Sequence, residues 1–264
     1  LWIANPGTQT TANVQITLGG QNKGTHEILP GDTLALSYPG EFTGPLVVDS
    51  DINVYTTLKT RPGGGLDEFP GISQTDMSTS FYYPVYRYVN GDGAWLWLGN
   101  PSTSLVANVT IQVAGNEMGQ YTIQPNSNLA VSYPGIFDGP VVINSDINIY
   151  STLKSRTNDT INEFKGISTS EFSTSYYYPV YRYVNGDGAW LWIGNPDDVI
   201  VANITVKIAG NEVRQYTIEP NNNIAVSYEG VFDGPVSITS DIPVYSTMKS
   251  RSYGNLNEFV GAND

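Results

Sequence analysis

Basic residues are scarce in this chain and stand at fixed positions. Lys59, Arg61 and Glu68 are matched by Lys154, Arg156 and Glu163, and again by Lys249, Arg251 and Glu258, each set 95 residues further on. With Arg87 and Arg182, also 95 apart, these sites hold eight of the twelve Lys and Arg residues. Cations so few and so regular point to structure rather than solubility. A guanidinium and a carboxylate on either side of a turn can meet through two parallel hydrogen bonds. The expected ion pairs are therefore Arg61–Glu68, Arg156–Glu163 and Arg251–Glu258. The competing use of these arginines is to hold an anionic ligand.

Residue types that do catalysis are thinly supplied. The neighbouring carboxylates Asp67 and Glu68 have the side chains of a glycosidase pair. Adjacent strand residues point to opposite faces, however, and the Asp is replaced by Asn162 and Asn257 in the other copies. The single histidine, His26, stands where Tyr121 and Tyr216 recur. Cysteine is absent, which removes disulfides, thiolate metal ligands and a thiol nucleophile. No Ser/His/Asp set repeats either, so the chain reads as a non-enzyme with no catalytic residues.

Three further patterns carry possible chemistry. Asn90-Gly91-Asp92-Gly93, repeated at residues 185–188, favours the positive φ of a tight hairpin. As a Ca²⁺ loop it offers one carboxylate, with Asp146 or Asp138 as recruits, short of the six to eight oxygens required. No cofactor is expected, and Ca²⁺ is the one metal to consider. Trp95 and Trp97, then Trp190 and Trp192, share a strand face, as do Tyr82, Tyr86 and Tyr88; such stripes pack units together or stack on sugar rings. Asn108, Asn158 and Asn203 head acceptor sequons for glycosylation.

The elements that position these residues repeat as whole domains. The period is 95 residues, too long for a solenoid turn. It divides the chain into 1–74, 75–169 and 170–264. Within each period short β-rich runs alternate with Gly, Pro, Asn and Asp, and no helical period appears. In Ala107–Val113, apolar 107, 109, 111 and 113 alternate with polar 108, 110 and 112. This predicts Val109, Ile111 and Val113 in a core. Seven or eight strands per unit predict an all-β fold of tandem Ig-like antiparallel sandwiches.

The Tyr-rich segments Phe81–Val89 and Tyr176–Val184 have no counterpart in the first unit, because Leu1 aligns with Leu96. The first unit is thus expected to lack its N-terminal strand and to carry an open sheet edge. Burying three or four such side chains would contribute about 1.5–3 kcal/mol each. The chain reads as an excerpt of a longer array, or as a subunit whose gap a neighbour's strand fills. The candidate connecting residues are Phe81, Tyr82, Tyr83, Val85, Tyr86 and Tyr88, with Tyr176, Tyr177, Tyr178, Tyr181 and Tyr183.

A net charge of −13 disfavours nucleic acid and anionic membrane as partners. No apolar run is long enough to span a bilayer. The segments "WLWLGNPS", "ANVTIQVAG" and "GPVVINSDINIYSTLKSR" resemble Ig-like modules of prokaryotic surface proteins, in particular the cell-adhesion-related bacterial type. The stretch "YYPVYRYVNGDGAW" is similar to tandem units of large secreted prokaryotic proteins. That resemblance implies an extracellular setting and a β-sandwich, and brings no catalytic residues. The expected function is structural: a stalk, sheath, surface-layer element or filament whose partners are further copies of itself. The alternative is an adhesin or carbohydrate-binding module using the Tyr and Trp faces.

Overall fold

The computed structural model describes residues 1–60, 67–157, 160–252 and 255–263. The fold is all-β, built from antiparallel sheets with no barrel closure, and among the described residues its only helical pieces are two 3₁₀ turns, Gln74–Asp76 and Thr169–Glu171. Three hydrophobic clusters lie along it, one within each of the spans 1–74, 75–169 and 170–264.

The middle span shows the plan. One sheet orders the strands Asn116–Ile123, Ala107–Val113, Val141–Thr157, Ser78–Tyr83 and Ile167–Ser168. The other orders Ser127–Val131, Gly93–Asn100, Val141–Thr157 and Thr160–Lys165. The strand Val141–Thr157 therefore belongs to both. Sequence spacing predicts two strands here, Val141–Ile143 and Ile147–Leu153; the structure runs them together, with a register shift between Asn144 and Ile149. Val109, Ile111 and Val113 are buried, as their alternation predicts, and so are Leu96 and Leu98 of the facing sheet.

Buried asparagine fixes the entry to the second sheet. Asn100 is fully buried; its amide donates to the carbonyls of Leu105 (2.7 Å) and Ile123 (2.9 Å), while its oxygen accepts from Ser102 N–H. Asn5 and Asn195 repeat this clasp. A buried amide left unpaired costs about 1–3 kcal/mol, so three satisfied bonds explain an Asn inside an apolar shell. At the turns, Asn90 (φ 57°) and Gly91 (φ 86°) adopt the left-handed region that Asn-Gly tolerates.

The Tyr-rich segment is not one strand. It breaks at Pro84-Val85 into Ser78–Tyr83 and Tyr86–Arg87, which pair with different strands. The predicted shared face of Tyr82, Tyr86 and Tyr88 is therefore corrected. Tyr83 and Tyr86 both turn into the unit's own core, and Tyr82 points out of it. The Tyr86 hydroxyl donates to Ala94 O (2.7 Å) and accepts from Tyr133 N–H (2.8 Å), pinning the kink. Tyr176, Tyr178 and Tyr181 do the same in the last span, where Tyr178 bonds Ser246 and Tyr181 bonds Ala189.

In the first span, among the described residues, the strand Leu46–Ser50 pairs with Ala12–Leu18 alone. Its counterparts in Val141–Thr157 and Val236–Ser252 have a Tyr-rich strand on their other side. Val48 and Val54 are accordingly only half-buried, whereas Ile143, Ile149, Ile238 and Val244 are fully buried.

Candidate interaction surface: the junction between units

The recurring residues meet where one span packs on the next. On Gly93–Asn100, Trp95, Trp97 and Gly99 share an outer face. The register sets Lys154, Thr152 and Tyr150 beside them, and Glu163 beyond Lys154. The preceding span approaches this face with Phe42, the cis Gly44-Pro45 turn and Asp67. Phe42 meets Trp97 edge-on at 6.2 Å between ring centroids. A Cβ on Gly44 would lie 3.3 Å from Asn128 Cγ.

The second junction uses the positions 95 further on. Asn223, the counterpart of Asn128, donates to Pro84 O beside the cis Gly139-Pro140 turn. Asn162, the counterpart of Asp67, accepts from Glu258 N–H through Oδ1 at 3.2 Å. Tyr82 adds an aromatic cluster, 4.9 Å from Phe172 and 5.7 Å from Tyr245 between centroids. Tyr245 lies over Gly194, where any Cβ would collide with its ring.

Exposure follows position in the stack. Tyr55 is 71% exposed, while its counterpart Tyr245 is fully buried. Trp2 is 49% exposed, while Trp97 and Trp192 are half-buried with their indole nitrogens closed off. The Glu68, Glu163 and Glu258 side chains fall from 53% through 18% to 2% exposed. Trp97 thus faces the neighbouring unit, whereas Trp95 and Trp190 pack on Tyr88 and Tyr183 of their own units, each 5.8 Å between centroids.

The register assigns each glutamate a lysine. Glu68 lies 2.7 Å from Lys59, Glu163 3.3 Å from Lys154 and Glu258 3.9 Å from Lys249. Directly opposite Arg156 stands Ile161, and opposite Arg251 stands Leu256. The predicted Arg156–Glu163 and Arg251–Glu258 opposition is thus replaced by lysine, because the hairpin sets the pairs two residues earlier than a turn-spanning Arg requires. Arg61 lies outside the described residues. Thr152 and Thr247 donate to Glu163 and Glu258 at 2.7 and 2.9 Å.

Charge differs between the two junctions. Burial, then the Glu163 carboxylate, push Asp67 up to about 6, with Lys154 pulling the other way. Burial raises Glu258, against opposing pulls from Lys249 and Thr247. Between the spans, Lys165 Nζ contacts Asp76 (3.1 Å) and Glu171 (2.8 Å), tying both 3₁₀ connectors to one ammonium. Burial opposes its charge, but the bonds to Glu171 and Asp76 prevail and hold it above the usual lysine value. No sequence signal marked Lys165, whose counterparts are Pro70 and Val260.

The remaining candidates separate. Asp92 pairs with Arg87 (2.5 Å), Asp146 with Asn108 and Asp138 with Gly139 N–H, so the carboxylates considered for Ca²⁺ are each engaged apart. Among the described residues no group of three or more His, Asp or Glu is placed to hold a metal. His26 is half-buried on a strand opposite Val14. Asn108 and Asn203 clasp Asp146 and Asp241 with both backbone and amide N–H, as Asn13 clasps Asp51. The Asn13 case has no sequon, so the clasp alone accounts for asparagine there. Asn158 lies outside the described residues. A cleft of about 640 Å³ is walled by Tyr88, Trp95, Asn90 and Arg156.

Comparison with protein-family models, curated proteins and solved structures returns no match. No described helix is long and apolar enough to cross a membrane.

Proposed function

We propose that this chain is a non-catalytic structural protein of the cell exterior, an array whose stacked units form a stalk, sheath, surface-layer element or filament. One observation carries the reading: the same face-to-face contact is made twice, by residues 95 apart. An interface that recurs by the same displacement is heterologous, the type that builds an open fibre where its rotation does not close into a ring. The Lys165 bridge across the two 3₁₀ connectors supports stiffness, which a load-bearing element needs and a flexible tether does not. Further copies of the chain are the partners that this reading names. The half-paired strand Leu46–Ser50 is the edge to which a Tyr-rich strand of the Ser78–Tyr83 type adds.

Small-angle scattering of the purified chain tests this. A rod of one cross-section, unchanged by salt, supports it, and a distribution of bent shapes contradicts it. A second reading rests on the cleft beside Trp95, where an aromatic wall and a guanidinium suit an acidic sugar. Glycan binding abolished by Trp95→Ala in a folded chain would favour that adhesin reading.

A further inference from the structure

The cleft beside Trp95 has walls that are fixed before any ligand arrives. The indole lies over Gly93, where a Cβ would stand 2.5 Å from Cη2. Tyr88 leans against it, 5.8 Å between centroids and 51° between planes. The Tyr88 backbone is tied twice: its N–H donates to Ile136 O at 2.7 Å, and its carbonyl accepts from Gly135 N–H at 2.9 Å. Asp92 N–H closes the floor on Val89 O at 3.0 Å. A pocket held this way loses little freedom when it is filled.

Its charge is as specific as its shape. Asp92 and Arg156 are the charged residues of the lining, and Arg87 pairs with Asp92 from outside it. Arg156 stands opposite Gly93 in the ladder, on the outer face that Trp95 shares. The nearby Glu163 carboxylate is engaged by Lys154 and Thr152 instead. An aromatic ring and a guanidinium therefore sit side by side in a chain whose net charge is −13.

We propose, resting on the adhesin reading of this cleft, that it binds the carboxylated pyranose ring of an acidic glycan and that its counterpart in the last unit does not. The apolar face of the sugar stacks on the indole, and its carboxylate takes two parallel hydrogen bonds from Arg156. The exposed Asn90 amide at the rim serves the hydroxyls. In the last unit Tyr183 leans on Trp190 at 5.8 Å and 50°, and Gly230 N–H bonds Tyr183 O at 2.9 Å. Asn185, Asp187 and Arg251 recur there as well. Of the lining positions only Pro134 changes type, to the exposed Glu229. A carboxylate at that rim repels a second one.

Calorimetric titration of the full chain with tetragalacturonate tests this. Two probes run beside it: the methyl-esterified tetramer, which keeps the rings and lacks the charges, and sialyllactose, whose acid is terminal. A single acidic site per chain is expected, weakening with added salt. Trp95→Ala should weaken it by about tenfold, and Trp190→Ala should leave it unchanged. Arg156→Gln should bring the acid down to the affinity of the ester, with unchanged near-ultraviolet circular dichroism. Glu229→Pro, which installs the residue the middle unit already has in that turn, should add a second site. Uptake of the tetramer alone places the acid within a glycan chain, and uptake of sialyllactose alone places it at an end. Binding of neither acid, equal affinity for acid and ester, or a second site in the natural sequence overturns the proposal. Ester bound through Trp95 without preference for the acid would leave the adhesin reading standing; no binding of any probe removes both.

Discussion

Asp67→Asn isolates the charge problem at the first junction. The folded chain holds the Asp67 proton up to about pH 6, against 3.8 for an ordinary aspartate. Stability contributed by this group is therefore complete below the ordinary value and falls as pH climbs through about 6. A rise from 3.8 to about 6 corresponds to about 3 kcal/mol, a ceiling that screening of this half-exposed group lowers to about 1–2 kcal/mol. Asparagine removes the charge and keeps an acceptor oxygen for Glu163 N–H, the arrangement that Asn162 already has with Glu258. The variant should thus be more stable than the parent at pH 7.5 and equal to it at pH 4. For a chain of this size the gain is about 2–6 °C in the lowest-melting transition. Scanning calorimetry at pH 4, 6 and 7.5 reads it. An equal gain at all three values, or a loss at pH 7.5, would refute the argument that repulsion from Glu163 and burial set this site.

Other perturbations probe the remaining contacts. Asn195→Ala leaves the carbonyls of Ile200 and Ile218 unpaired and should cost about 2–4 kcal/mol, measured by urea unfolding of the final transition. Tyr86→Phe removes a donor to Ala94 and an acceptor for Tyr133, and should cost about 1–3 kcal/mol without changing the unfolding slope. Lys165→Met should cost less than about 1 kcal/mol, because its partners are partly solvated. Its effect should appear instead as a broader interunit distance distribution in pulsed electron resonance. A synthetic peptide matching residues 78–89, which holds the whole pairing strand Ser78–Tyr83, should raise the melting point of the first unit by pairing with Leu46–Ser50; no shift at saturating peptide argues against an accepting edge.

Strand identity was legible because apolar alternation is local: Ala107–Val113 carries its own period, and its inward residues are where that period places them. The Asn-Gly turns were legible for the same reason. What could not be read was any relation between strands. The kink after Tyr83 inverts the facing of Tyr86 without altering residue type, so the expected aromatic stripe divides between the unit's own core and the junction. The Glu163 partner depended on hairpin register, and one step of two residues exchanged Arg156 for Lys154. Trp97 and Trp192 advertised burial, but a sequence does not say whether a unit's own interior or a neighbour covers them. Lys165 left no trace at all, because its role exists in one unit only.

The strand Val141–Thr157 belongs to both sheets of its unit and has a consequence for pulling. Its first half is laced to Ser78–Tyr83, just after the connector from the preceding unit. Its second half is laced to Thr160–Lys165, which runs into the next connector. Tension applied along the array reaches a single backbone flanked lengthwise by ladders. Ladders loaded lengthwise slide only if many hydrogen bonds yield together, whereas ladders pulled at one end open a bond at a time. A unit built on such a strand would then resist like a lap joint rather than a zip.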